Sequence, residues 1–164
     1  MTESYSRRIN EMTVISAAAF AGANLFIGLS IGAIWLSMEP LDFMNGFWDQ
    51  FLRFTYTIMP LFILTLIGLV LSARLDWGER PARQLWLIAL GLYALTSAIT
   101  VFYHLPLNFA LRAAEFSAKE AAAARAGWLL WNIPRVILAF GIPIVALRAI
   151  VGRSTKGSGP DPTG

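Results

Sequence analysis

Four apolar runs decide what this chain can become. Residues 13–38, 54–73 and 85–110 contain no Asp, Glu, Lys or Arg, and 127–147 contains a single charge, Arg135. At about 1.5 Å of rise per residue, a helix of 20 residues crosses the ~30 Å hydrocarbon layer of a bilayer. In lipid the backbone must satisfy its own hydrogen bonds, which leaves helices or a closed barrel. Barrels are built from shorter, alternating strands. Composition points the same way. Apolar residues make up 57% of the 164 and charged residues 14%, with mean hydropathy +0.60, whereas soluble domains carry about 25% charge. The expected fold is therefore all-α: an integral membrane four-helix bundle over 13–151, with the lipid bilayer as its first partner. Residues 1–12 precede it, and the Gly/Pro/Ser-rich tail 152–164 is expected to be disordered.

The first run is too long for a secretory h-region and no cleavage site follows it, so it is read as a span. Arg7 and Arg8 lack the pattern of a twin-arginine signal. Orientation follows from Lys and Arg in short loops. Eight lie at the N-terminus (Arg7, Arg8), in the second loop (Arg74, Arg80, Arg83) and at the C-terminal end (Arg148, Arg153, Lys156). The other two loops carry Arg112, Lys119 and Arg125, with Arg53 at a span boundary. Both termini are expected in the cytoplasm, in a bacterial inner membrane. The second loop, 75–81, looks like an ordinary turn. The Ala- and charge-rich stretch 112–126 should be helical, either extending the fourth span or lying on the membrane surface. Glu115 and Lys119 within it read as a paired, solvated helix face.

The absence of cysteine excludes disulfides, thiolate nucleophiles, Cys-ligated zinc and iron–sulfur clusters. One histidine leaves metal catalysis poorly supplied with ligands, so no cofactor is expected; haem with His104 as axial ligand, or a quinone, stays open. The net charge of +3 and the scatter of basic residues to segment ends argue against nucleic acid. Homo-oligomerisation is left open.

With this topology, polar residues can be placed by depth. Tyr93, Ser97, Thr100, His104 and Asn108 are spaced 4, 3, 4 and 4, one face of the third helix, with His104 and Asn108 at its outer end. Trp128, Trp131, Asn132 and Arg135 fall in the outer part of the fourth. Arg53, Tyr56 and Thr57 open the second. Asn24, Gly28 and Gly32 recur every four residues on the first, with Trp35 continuing that face. His, Asn, Arg and Tyr thus converge on the extracytoplasmic half. Each element also has a plainer role. Gly28-x-x-x-Gly32 suits close helix packing, Asn24 an interhelical bond, and the Tyr93/Ser97/Thr100 stripe structural hydrogen bonding. Arg135 could snorkel to headgroups, and the tryptophans could be interfacial anchors. Yet an intramembrane arginine costs about 2.5 kcal/mol or more and commonly marks function.

The run His104-Leu105-Pro106-Leu107-Asn108, followed by an Ala/charge-rich stretch and then Trp128-x-x-x-Asn132-x-x-Arg135, resembles the anthrone oxygenase-like family of small four-helix membrane proteins. The resemblance covers 13–151 and carries over Asn108, Trp128, Asn132 and Arg135. The resemblance does not carry over His104, and Pro134 is not expected from the family pattern and puts the local helix geometry in question. The family implies addition of O₂ at an acidic carbon between aromatic rings, which requires a base and a partner for the resulting oxyanion. Catalytic roles are expected for His104 as base and Arg135 as oxyanion partner, supported by Asn108 and Asn132. Trp128, Trp131, Tyr56 and Asn24 join them as substrate-binding residues, with Tyr56, Trp131 and Phe102 as aromatic walls for a flat phenolic or quinone-like molecule. The alternative is a non-catalytic protein that binds lipid or quinone, or an accessory subunit of a membrane complex.

Overall fold

The computed structural model describes residues 3–154, and no strand occurs among them. Four helical rods, Ser4–Ser37, Pro40–Leu75, Arg80–Ala113 and Ala118–Gly152, are each long and apolar enough to cross a membrane. This is a multi-pass membrane protein. The first rod packs on the second and fourth, and the third packs on the second and fourth, giving an up-down bundle.

Two rods are interrupted at the same level. The first consists of α1 (Glu3–Phe26), a π-helical turn (Ile27–Ile31) and α2 (Gly32–Ser37). The second rod is α3 (Pro40–Leu75). The third consists of α4 (Arg80–Ile99), a π-helical turn (Thr100–His104) and α5 (Leu105–Ala113), and the fourth is α6 (Ala118–Ser154). Pro106 has no N–H to give, and its ring crowds the carbonyl four residues back, Phe102. The helix absorbs this by widening, so that the N–H of Leu105 bonds to Thr100 O. In the first rod the N–H of Gly32 reaches Ile27 O in the same way. Pro134 does not break α6, which continues through it and through Pro143.

The connections are shorter than the apolar runs imply. Residues 40–53 are not a loop but the opening of α3, which starts on Pro40, a proline at a position where the missing donor costs nothing. Phe43 and Phe47 on that extension are fully buried, which holds it to the bundle. The alternatives for 112–126 resolve in favour of extension, since α6 already begins at Ala118. Ala114 turns the chain in the left-handed region (φ 54°). Ser117 and Glu120 form a capping box, with Ser117 N–H donating to Glu120 Oε2 at 2.8 Å. Glu115 therefore sits in the turn, not on a helix face with Lys119. The far end also departs from expectation: α6 runs through Ser154, and the remainder of the expected tail, 155–164, lies outside the described residues.

The two halves of the bundle are packed differently. At the end holding both described termini, Ala17, Ala21, Ala73, Ala82, Ala89, Ala139 and Ala146 let the helices approach closely around Phe20, Trp86 and Tyr93. There the 75–81 connection proves more than a turn. Asp76 is buried, and its Oδ2 accepts from Trp86 Nε1 at 2.8 Å and Asn10 Nδ2 at 3.0 Å. At the other end large rings do the filling: Trp35, Phe43, Phe47 and Trp128. The third and fourth rods, paired extensively through α4, meet only sparsely through α5. Side chains bridge the difference.

Candidate functional site

The buried polar residues of the aromatic half gather around one indole, that of Trp128, which is 1% exposed. Its Nε1 donates to Asn108 Oδ1 at 2.9 Å, tying α6 to α5. His104 packs edge-on to its ring at 4.8 Å between centroids. On another side the Arg135 guanidinium carbon lies 5.4 Å from its centroid, within cation–π range. Trp35, fully buried, completes the box with a perpendicular contact at 4.9 Å and is itself anchored by Nε1 donating to Gln50 Oε1 at 2.8 Å.

Helix periodicity explains the assembly. Trp128, Asn132, Arg135 and Ala139 recur at spacings of 4, 3 and 4, so one stripe of α6 carries them all inward. His104 and Asn108 are one turn apart across the start of α5. The first rod comes up against this stripe with glycines. A Cβ on Gly28 would run into Asn132 Nδ2, and one on Gly32 would lie 2.8 Å from Leu129. Arg125 closes the top, donating from one Nη to both Trp35 O and Met38 O at 2.6 Å, the carbonyls that end α2.

Arg135 is 7% exposed. Its Nε and one Nη donate to Asn132 Oδ1 at 3.1 and 2.6 Å. Among the described residues no carboxylate pairs with it. Five N–H donors thus meet a single neutral acceptor, and a whole positive charge is held between helices against an indole face. The imidazole of His104 has no free edge: Nε2 lies 3.3 Å from Trp128 O and Nδ1 3.4 Å from Ile99 O. A neutral imidazole can donate to only one of those carbonyls at a time.

Not every residue expected at the site arrives there. His104, Asn108, Trp128, Asn132 and Arg135 come together. Asn24 is buried on the same face of the first rod, but spends its Nδ2 on Phe20 O of its own helix at 2.8 Å. Tyr56 is 77% exposed and Phe102 80%, so neither walls the cluster. Phe47, Phe51 and Phe54 form the inner face of α3, and Tyr56 stands about 200° further round from Phe54. Arg53 and Thr57 are exposed beside it. Trp131 is half-exposed on the flank of α6, its ring 5.1 Å from that of Tyr103. Of the walls that do enclose the cluster, Trp35 lies on the face that Asn24, Gly28 and Gly32 mark, whereas Phe43, Phe47 and Phe54 are not among the residues expected at the site. The 4, 4, 3 recurrence of Phe43, Phe47, Phe51 and Phe54 was the signal for them. Ser97 and Thr100, read as structural, bond back to carbonyls of their own helix, and Tyr93 reaches across to Phe62 O at 3.1 Å.

The anthrone oxygenase family profile matches residues 48–144, more than half of the chain and the whole stretch from Trp48 through the Arg135 stripe. Neither the curated proteins nor the solved structures contain a match.

Proposed function

Because the chain belongs to the anthrone oxygenase family, we propose that the Trp128–Asn132–Arg135 cluster holds the oxygen anion of a flat, hydrophobic phenolic or quinone-like molecule. The observation that carries this is the buried guanidinium of Arg135, which has no carboxylate among the described residues to neutralise it. Burying a cation in a low-dielectric setting is costly. A ligand phenolate or enolate would supply the missing negative charge, and a charge-assisted hydrogen bond with it. Asn132 already orients the guanidinium, so little reorganisation is required when the anion forms.

Oxidation of an anthrone-like molecule at this site would proceed from that anion. A base removes a proton from the carbon between the rings, and the charge spreads onto the ring oxygen facing Arg135. The carbanion then reduces O₂ as a C–O bond forms, giving a hydroperoxide. Loss of water breaks the O–O bond and leaves the carbonyl, so that anthrone and O₂ become quinone and water. His104 is the base within reach of the cluster. To act, its Nε2 must release Trp128 O, which at 3.3 Å is a long bond and a weak restraint. The same engagement of both nitrogens favours a second reading, in which the site binds a phenol, quinone or lipid without chemistry.

With basic loop residues concentrated at the end that carries both termini, the cluster belongs to the extracytoplasmic half of a bacterial inner membrane. Titrating the full chain in nanodiscs with a hydroxyanthraquinone, and following the phenolate absorbance band, tests the binding step. Arg135→Met is expected to weaken binding by at least tenfold, about 1.4 kcal/mol. His104→Ala is expected to preserve the band but to abolish O₂ uptake with anthrone. A phenolate band unaffected by Arg135→Met would refute the anion site. O₂ uptake unaffected by His104→Ala would leave binding alone.

A further inference from the structure

The cluster is closed: its members are between 1% and 7% exposed, so a ligand must pass one of the seams between rods. These seams are not equivalent. Between the first and fourth rods the closure is backbone-tight, with Gly28 against Asn132, Gly32 against Leu129, and Arg125 clamped onto the end of α2. Between the third and fourth rods the closure is made by two rings. Tyr103 and Trp131 overlap at 5.1 Å and 34°, on the bilayer side of His104, whose own ring meets Tyr103 edge-on at 5.5 Å. The Tyr103 hydroxyl passes over Gly127, where a Cβ would come within 2.5 Å of it. Behind the pair two ties cross between the helices, the 3.3 Å contact of His104 with Trp128 O and the 2.9 Å bond from Trp128 Nε1 to Asn108 Oδ1. Tyr103 belongs to a π-helical turn, a widened and weaker piece of helix.

We propose that Tyr103 and Trp131 are access and specificity residues: an aromatic door through which a planar ring system passes sideways from the bilayer to the Arg135 cluster. This rests on the site being one for a membrane-borne ligand. Rotation of the two rings opens a slot whose width is that of a ring, because the helix axes on either side stay held by α4 and by the first rod. A planar ligand can replace each ring's stacking partner as it enters. A globular apolar molecule of similar hydrophobicity cannot, so the door selects by shape.

The chain has no cysteine, so a single reporter behind the door, Asn132→Cys or independently Asn108→Cys, can be labelled without background. In vesicles the rate is followed with planar pyrenyl maleimide, bulky adamantyl maleimide and a membrane-impermeant sulfonated thiosulfonate. Trp131→Ala, and separately Tyr103→Ala, should speed pyrenyl labelling about tenfold, the scale of losing one aromatic pair. Either change should also erase the preference for the planar reagent, while sulfonate labelling stays unchanged. Trp131→Phe, which keeps a ring, should restore the slow, shape-selective rate and guards against misfolding of the Ala variants. Unchanged pyrenyl labelling in both Ala variants, or equal acceleration by the sulfonate, overturns the proposal, the latter by placing entry at the aqueous end. Labelling requires neither phenol binding nor turnover, so loss of the anion site and loss of the door are read separately.

Discussion

At the scale of the residue, the question is whether Arg135 is retained for stability or in spite of it. Its protein contacts are two hydrogen bonds to one amide oxygen and a cation–π contact with Trp128. Together these are worth a few kcal/mol and are set against a comparable cost of burying the charge. Arg135→Met, similar in length and uncharged, is therefore expected to change unfolding free energy by no more than about 1 kcal/mol, measured by steric trapping or mixed-micelle denaturation. A structural arginine paired with a buried acid would instead cost about 3–5 kcal/mol when removed. Gly28 offers the opposite test. A methyl group there meets Asn132 Nδ2, so Gly28→Ala should cost about 1–3 kcal/mol by overpacking and should displace the amide that orients Arg135. Weaker binding of the hydroxyanthraquinone in Gly28→Ala, with Arg135 intact, is the accompanying signature.

At the scale of the element, Arg125 does what no capping residue of the first rod does. The rod ends at Ser37, and Met38 is extended, so the carbonyls at its end lack the full helical ladder and Trp35 O keeps only the Met38 N–H, at 3.2 Å. Arg125 donates to two of them and so fixes Trp35 against Trp128. Arg125→Gln is expected to cost about 2–3 kcal/mol, the worth of hydrogen bonds to a charged donor, and to raise amide hydrogen exchange selectively around 35–43. Such a role could not be read from the chain, because Arg125 and Trp35 are 90 residues apart and a charge near a span boundary looks like an orientation signal. The same limit hid the burial of Asp76, a turn residue whose partners Asn10 and Trp86 come from two other rods. By contrast, the convergence of His104, Asn108, Trp128, Asn132 and Arg135 was legible, because spacing along each helix assigns a face and span direction assigns a depth. Tyr56 and Phe102 shared the depth but not the face. Depth comes from hydropathy and is robust, whereas facing near the π-helical turn of Thr100–His104 shifts with the extra residue in that turn.

For the whole molecule, what matters is which way the bundle sits in the membrane. The helices alone do not distinguish the two orientations, since an up-down bundle with both termini at one end inserts equally well either way. The charge distribution favours one of them: Arg7, Arg8, Arg74, Arg80, Arg83 and Arg148 lie at the alanine-packed end, and short basic loops tend to be retained in the cytoplasm. Gly78 and Glu115 are well placed to read this. A Cβ at Gly78 meets nothing within 4 Å, and Glu115 is exposed in the opposite turn. In intact cells an impermeant maleimide should label Glu115→Cys at once and Gly78→Cys only after permeabilisation. The reverse pattern would place the Arg135 cluster in the cytoplasmic half and require its ligand to be delivered from the cell interior. The expected pattern has a chemical consequence of its own. A phenol drawn sideways from the outer leaflet would meet the guanidinium eight residues in from Gly127, about 12 Å from the outer end of the fourth span. The proton released as the anion forms then leaves towards the nearer, outer surface, and the deep alanine-packed half can remain dry.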